Sequence, residues 1–237
     1  MTNRRTYPRR GLHGAVVHDI GVRILRGELK PGEPLPENGP ADEPAVSRTV
    51  LREAIKVLAA KRLVESRPKT GTRVRPRQDW NLLDPDVLAW QVEAGADAEF
   101  LAQALEVRRM IEPAAARLAA ERATPAQIAV LREAADGMAA AGDDLDAFME
   151  PDLRFHSVLL EACQNELLGH MRDVFTALLH TVFSYSSASS RSYPRSARRH
   201  RAIVDAIEAR DPDAAERAVL KLIDETRTDL RSALRRR

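Results

Sequence analysis

Asp152 and His156 have the spacing of a metal-binding pair. They stand four residues apart in one helical run, so the carboxylate and the imidazole lie on the same helix face. His200, which begins a later apolar helical segment, is a candidate third ligand. Imidazole and carboxylate ligands suit zinc, nickel or manganese rather than calcium. The same spacing also arises in ordinary surface contacts, so the residues by themselves leave both interpretations open.

Arg108 and Arg109 lie in a mostly apolar helical segment. An arginine that faces into a helical bundle needs a partner, because burying an unpaired charge is costly. It either meets an internal glutamate or holds a ligand carboxylate through two parallel hydrogen bonds. We expect at least one of the two arginines to be an ordinary surface residue.

Signatures of catalysis are missing from the sequence. We find no glycine-rich phosphate loop, no H-E-x-x-H, no nucleophile elbow and no paired E-x-x-H of a di-iron bundle. The single cysteine, Cys163, excludes a disulfide framework and a cysteine-based zinc site. No stretch is both long and apolar enough to span a bilayer, and we expect a cytoplasmic protein without a membrane segment.

Hydrophobic periodicity predicts the elements that position these residues. Apolar residues at every fourth position from Leu12 to Ile24 predict a first helix, which is followed by a proline-rich loop. Ser47 is the expected N-cap of a second helix, whose outer face carries Arg48, Arg52 and Lys56. Two short alternating segments around Pro68–Gly71 predict a hairpin with a basic tip.

This order of elements, together with the charge, is typical of a winged helix-turn-helix that binds DNA. Residues 1–77 hold 17 Lys and Arg against 8 Asp and Glu, whereas the remaining 160 residues hold 20 against 27. A basic N-terminal module therefore precedes an acidic one.

The second module is predicted to be an all-α helical bundle, so the fold class is mainly α. Capping residues before prolines at Asp84, Thr124 and Asp211 mark helix starts. The predicted helices are 85–94, 97–122, 125–141, 144–163, 166–186, 195–209 and 212–234. Pro113 and Pro151 fall inside predicted helices and should mark a kink or a break.

The expected domains are a basic disordered arm (1–11), a winged helix-turn-helix DNA-binding domain (12–77), a linker with a connecting helix (78–94) and an all-helical domain (95–237). The basic chain ends, 1–10 and 235–237, are expected to be disordered.

Residues 12–235 resemble the GntR superfamily of bacterial transcription regulators, in particular its FadR subfamily with an FCD effector-binding domain. The run VSRTVLREAIKVLAAKRLVESRPKTGTRV (46–74) is very similar to the recognition helix and wing of that family. The stretches EVRRMIEPAAARLAAERAT (106–124), DLRFH (152–156) and HRAIVDAIEARDPDAAERA (200–218) are similar to the FCD domain. The resemblance implies a homodimer that binds double-stranded operator DNA and alters its grip when a small metabolite enters the helical domain.

Matching positions imply roles for individual residues. Six residues would contact DNA: Arg48, Thr49, Arg52, Lys69, Thr70 and Gly71. The family's metal ligands match Asp152, His156 and His200, but the position of its last histidine is Leu222 here. A water or the effector would then complete the coordination.

The resemblance is strongest to regulators of galactonate operons, on the residues RQDWNLLDPDVLAW (77–90), EVR (106–108) and the missing last histidine. The implied effector is a small carboxylate, a sugar acid such as D-galactonate, whose carboxylate is held by the metal and Arg108.

The segment 36–44 departs from the family pattern, because prolines interrupt it and the usual arginine near position 38 is absent. We therefore predict a short or irregular supporting helix and a weaker phosphate contact there. Two other functional classes stay open at this stage: a metal-dependent enzyme in the helical domain, and a sensor that has lost DNA binding.

Overall fold

The computed structural model describes residues 7, 11–35, 47–67, 69, 71–186 and 193–235. The chain divides into two compact units, Met1–Ala96 and Asp97–Arg237. None of the helices in the described ranges is long and apolar enough to cross a membrane.

The N-terminal unit has the predicted order of helices and hairpin. Its elements, with a short 3-10 turn at Arg77–Asp79 before the last of them, are α1 Leu12–Leu25, α2 Arg48–Ala60, β1 Val64–Arg67, β2 Gly71–Val74 and α3 Pro85–Ala94. The strands are antiparallel, with Val64 opposite Val74. The segment at Pro34 and Leu35 pairs with the outer side of β2, since Pro34 bridges to Arg73 and the Leu35 N–H donates to the Thr72 carbonyl at 2.9 Å.

Apolar residues from each element meet in one core. The core includes one apolar face of each helix and the inner side of the hairpin. Its members include Val16, Val17, Ile20 and Ile24 of α1, Leu51, Ala54 and Leu58 of α2, and Leu63, Val64 and Val74 at the base of the hairpin. The predicted periodicities are therefore confirmed as the faces that these elements bury.

Helix α3, predicted as a connecting element, packs against α1 within the N-terminal unit. Trp90 of α3 lies directly over Gly21 of α1, where a Cβ would overlap the indole ring. The side chain of Lys61, just after α2, bonds to Asp84 at 2.9 Å and also contacts Asp86 at the start of α3. These contacts fix α3 to both α1 and α2.

The second unit is all-helical in its described residues. Its helices are α4 Ala98–Arg122, α5 Pro125–Ala140, α6 Leu145–Ala162, α7 Glu166–His170, α8 Arg172–Ser186, α9 Tyr193–Glu208 and α10 Pro212–Leu234. Helix α4 packs against α10 and α6, and α9 lies against α5 and α10. Every predicted N-cap here is confirmed, with Thr124 forming a capping box with Gln127.

One prediction about this unit is wrong in detail, and a second is narrowed. The helix predicted over 166–186 is interrupted at Met171, whose N–H bonds to the Leu168 carbonyl three residues back rather than continuing the α-helical pattern. Pro113 and Pro151 do not break their helices. Packing outweighs the lost hydrogen bond, because Pro113 is buried and Pro151 lies against Gly137 of α5.

Candidate functional site

The exposed face of α2 is the candidate nucleic-acid interface. Ser47 caps the helix through a hydrogen bond from the Val50 N–H to its Oγ at 3.3 Å. With Leu51, Ala54 and Leu58 buried, the helix turns Arg48, Thr49 and Arg52 to solvent.

Two of the three predicted cations on this face are available to an anionic partner. Arg48 and Arg52 form no ion pair with any residue that the structure describes. Lys56 differs, because its Nζ lies 2.7 Å from Glu53 Oε1 and its charge is partly neutralised. The side-chain hydrogen bond and charge of Lys56 lower the pKa of Glu53. Arg48 and Arg52 therefore carry most of the positive charge of this exposed face of α2.

The tip of the hairpin carries a further exposed cation, Lys69. Lys69 is exposed with φ of 65°, and Gly71 follows with φ of 76°, so both adopt the left-handed conformation of a tight turn. Arg73, on the second strand of the hairpin, is already engaged within the unit, because its guanidinium donates to the Gly32 carbonyl at 2.8 Å. Thr70 and the segment 36–46, with its predicted irregular helix, lie outside the described residues.

In the helical unit, Asp152, His156 and His200 come together although 44 residues separate the two histidines. One ligand atom from each lies within 4.8 Å of the others, and all three residues are buried. The Nε2 atoms of His156 and His200 face each other at 3.2 Å, and Asp152 Oδ1 lies 3.3 Å from His200 Nε2. The predicted trio is thus one cluster on α6 and α9.

The opposite nitrogen of each ring lies close to an oxygen atom. His200 Nδ1 donates to the Ser196 carbonyl at 2.9 Å. His156 Nδ1 lies 3.1 Å from Glu112 Oε2, off the line of a well-formed hydrogen bond. With a proton on each Nδ1, both Nε2 atoms present lone pairs to the same point, and a carboxylate stands beside them. Such an arrangement is stabilised by a cation between the ligands.

Arg108 and Glu112 form a buried ion pair behind this cluster. Arg108 Nε donates to Glu112 Oε1 at 2.6 Å and its Nη2 to Oε2 at 3.2 Å. Burial acts to raise the pKa of Glu112, but the charge of Arg108, helped by His156, outweighs it and holds the pKa well below its usual range. Burial has the opposite effect on an imidazole and lowers the pKa of His200 to about 4. At neutral pH this ring is therefore uncharged and able to act as a ligand.

Of the two arginines singled out in the sequence, Arg108 is the internal one. Arg109 is exposed and pairs with Asp224 at 2.6 Å, as expected for a surface residue.

A cavity of about 50 Å³ opens beside the cluster. Leu222 lies in its wall, at the position where the family resemblance expects a further histidine, and Phe155 packs edge-on against both imidazoles. Several residues that sequence reasoning did not select also line it: Phe148, Phe183, Tyr193, Thr226 and Asp229. Helical spacing from Leu222 would have found Thr226 and Asp229, but the aromatic residues carry no sequence signal that separates them from core.

Known families match both units. The gntR family of bacterial regulatory proteins matches residues 12–74, and the FCD domain matches residues 103–225. Among curated relatives, the galactonate operon transcriptional repressor of Escherichia coli is 38% identical over 210 residues, covering 88% of this chain and 92% of the relative. The regulator LutR of Bacillus subtilis is 33% identical over 207 residues, covering 83% and 91%.

Solved structures share the fold at lower identity. Lar, which controls the expression of the Listeria monocytogenes agr system, superposes with a TM-score of 0.70 at 19% identity, covering 95% of this chain and 99% of its own. McbR of Escherichia coli gives a TM-score of 0.55 at 17% identity, covering 93% and 98%. The protein therefore belongs to the gntR family of bacterial regulatory proteins, carries an FCD domain, and is a DNA-binding transcriptional regulator.

Proposed function

We propose that this regulator is a repressor whose hold on its operator is controlled by a small carboxylate bound in the helical unit. One observation carries the proposal: a cavity lined by three converging metal-ligating side chains and an arginine stands in the same chain as an exposed helix face whose Arg48 and Arg52 form no ion pair with any described residue. The first arrangement suits a metal-held anion, and the second suits DNA phosphates and base edges.

On the DNA side, we assign α2 to the major groove and the hairpin tip to the neighbouring phosphates. The contacting residues would be Arg48, Thr49, Arg52, Lys69, Thr70 and Gly71. A homodimer on a palindromic site would present two such helices, as in other two-fold helix-turn-helix proteins.

In the helical unit, we propose that Asp152, His156 and His200 hold a divalent zinc, nickel or manganese ion. The fit rests on the two facing Nε2 atoms at 3.2 Å, which both present lone pairs to one buried point when each Nδ1 carries the proton. Leu222 supplies no ligand, which leaves a coordination position for a water or for the effector's carboxylate. When bound, the metal would supply the positive charge that attracts an anion.

Arg108 is the proposed second anchor for that carboxylate. Its Nε and Nη2 are engaged by Glu112, which orients the guanidinium and leaves its Nη1 donors for a ligand in the cavity. The likeness to a galactonate operon repressor supports a sugar acid such as D-galactonate as the effector.

A cavity of about 50 Å³ holds only a few waters, so the walls must move to admit a sugar acid. The aromatic wall of Phe148, Phe183 and Tyr193 links α6, α8 and α9, because these rings pack on one another with centroids 5.2 to 6.1 Å apart. Effector binding would therefore shift helices relative to one another, and the population of the DNA-binding form would change with it.

We propose a binding role for the metal cluster rather than catalysis, and no residue is assigned a catalytic role. A metal-dependent enzyme would instead turn its ligand over, and a sensor without DNA binding would leave its operator unoccupied.

A gel shift on the DNA upstream of the protein's own coding sequence, with and without millimolar D-galactonate, separates these cases. The repressor proposal predicts a shifted band that D-galactonate releases, with the sugar acid recovered unchanged. A shifted band that ignores D-galactonate would retain the regulator and remove this effector. No band at moderate salt would contradict the DNA-binding assignment.

A further inference from the structure

The three proposed metal ligands are themselves buried at the bottom of the cavity. His156 and His200 are each 1% exposed and Asp152 is 7% exposed. A carboxylate effector therefore reaches them through the cavity, and the residues that line it decide the route. Arg199 is the residue to consider, because it lines this cavity and also lines a separate surface groove between α9 and α10.

That groove has a volume of about 330 Å³ and is strongly cationic. Its lining contains four basic side chains and one acidic side chain. The basic residues are Arg195, Arg198, Arg199 and Lys221, and the acidic residue is Glu225. Arg195, Arg198 and Lys221 form no ion pair with any residue in the described part of the chain. Three cations that lack an ion-pair partner among the described residues thus face one groove, on a unit that is acidic as a whole.

Arg199 and Glu225 form an ion pair at the wall that the groove shares with the cavity. The pair is partly exposed, with 16% of the Arg199 side chain and 33% of the Glu225 side chain accessible. Ion pairs of this exposure contribute little to stability. An incoming carboxylate could replace Glu225 as the partner of Arg199 without breaking the apolar core.

We propose that the α9/α10 groove is an outer binding site for small carboxylates, from which Arg199 passes the effector's carboxylate into the cavity. This inference rests on the proposed effector class. Arg195, Arg198 and Lys221 raise the local concentration of anions, as charged clefts do for substrates. Glu225 closes the passage by occupying Arg199 when no carboxylate is present.

A test of the outer site that needs no knowledge of the effector uses a thiol in the groove. Ala202 lines the groove and is exposed, whereas the native Cys163 is fully buried and should stay silent. In an Ala202→Cys protein, dithiobis(nitrobenzoate), which carries carboxylates, and neutral dithiodipyridine would be compared as labelling reagents. We define the ratio as the rate of labelling by dithiobis(nitrobenzoate) divided by the rate of labelling by dithiodipyridine. We expect Arg198→Gln with Lys221→Gln to lower this ratio about 3- to 10-fold, and the effect should vanish at high salt.

Arg227→Gln with Arg231→Gln is the matched control, because it removes the same charge from a groove that α10 forms with α4. An equal fall in the ratio for both pairs would overturn the outer site, since only net charge would then matter.

The passage itself is tested by the rate at which D-galactonate releases labelled operator in stopped flow. Arg198→Gln with Lys221→Gln should slow release about 3- to 10-fold at low salt, and Glu225→Gln should accelerate it. Unchanged rates in both variants would overturn the passage. Should D-galactonate fail to release operator from the unmodified protein, the proposed effector falls, and the labelling ratio still decides the outer site.

Discussion

At the scale of single residues, the orientation of the two facing histidine rings depends on the oxygen atoms that lie close to their Nδ1 atoms. The Ser196 carbonyl holds His200 and Glu112 lies behind His156, so both rings can turn Nε2 toward Asp152. Glu112 is in turn held by Arg108. One buried carboxylate therefore neutralises the arginine and also orients a metal ligand, and its loss should affect stability and metal affinity together.

We expect Glu112→Gln to lower the free energy of unfolding of the metal-free protein by about 3 kcal/mol, because Arg108 would remain buried without its carboxylate. Replacing both partners, as Arg108→Met with Glu112→Leu, should recover most of that loss. Urea unfolding followed by circular dichroism measures both effects. Glu106→Gln on the exposed face of α4 is the control, and a loss of the same size there would show that the buried pair is not the cause.

At the scale of elements, the N-terminal unit combines a fixed core with a free basic face. The cap at Ser47 and the apolar side of α2 set the direction in which Arg48 and Arg52 point. Removing one of these cations leaves the helix intact, since neither contributes to the core.

Arg52→Ala should weaken operator binding across sequences and reduce the slope of log affinity against log salt by about 1, as expected for the loss of one phosphate contact. Fluorescence anisotropy over a salt series measures this. Arg217→Ala, an exposed arginine of the helical unit, is the comparison and should leave the slope unchanged. If Arg52→Ala keeps the parent slope and affinity, α2 is not the recognition helix.

The contact of α1 with α3 gives a prediction about packing. Gly21→Ala should destabilise the N-terminal unit by about 1 to 3 kcal/mol, because the added methyl group overlaps Trp90 and the helices must separate. Gly169→Ala in α7 meets nothing within 4 Å and should be neutral or slightly stabilising. Thermal unfolding followed by circular dichroism reports the difference, and equal melting for the two variants would rule out the close packing of Trp90.

At the scale of the whole molecule, the proposed metal and the DNA-binding face lie in different units of the chain. Metal removal should therefore affect the stability of the helical unit and the response to effector, but not the intrinsic affinity of α2 for DNA.

Dialysis against a chelator should lower the free energy of unfolding of the helical unit by about 2.7 kcal/mol. The reference is protein in a free metal concentration about 100 times the Kd. Release of operator by D-galactonate should be lost, while operator binding without effector should remain. His156→Ala should respond to neither chelator nor added metal. Elemental analysis and thermal melts test this, and a parent protein whose melt and effector response are both indifferent to chelation would contradict a resident metal.

Much of this protein could be predicted from the sequence, because local patterns carry the information. Caps before prolines set helix starts at Asp84 and Thr124, and apolar periodicity identified the buried faces of α1 and α2. The interruption at Met171 could not be predicted, because the apolar pattern continues across it. Of the kink or break expected at Pro113 and Pro151, the break does not occur, since packing around the prolines sustains helices that propensity alone would end.

The sequence by itself predicted a basic N-terminal module before a helical one, the basic face of α2, and Asp152, His156 and His200 as one candidate set. Only the tertiary structure decided that the histidines face each other at 3.2 Å, that Arg108 is engaged by Glu112, and that Arg199 borders both cavity and groove. The physical reason is range: periodicity and capping act within a few residues, whereas these arrangements depend on how α4, α6, α9 and α10 pack against one another.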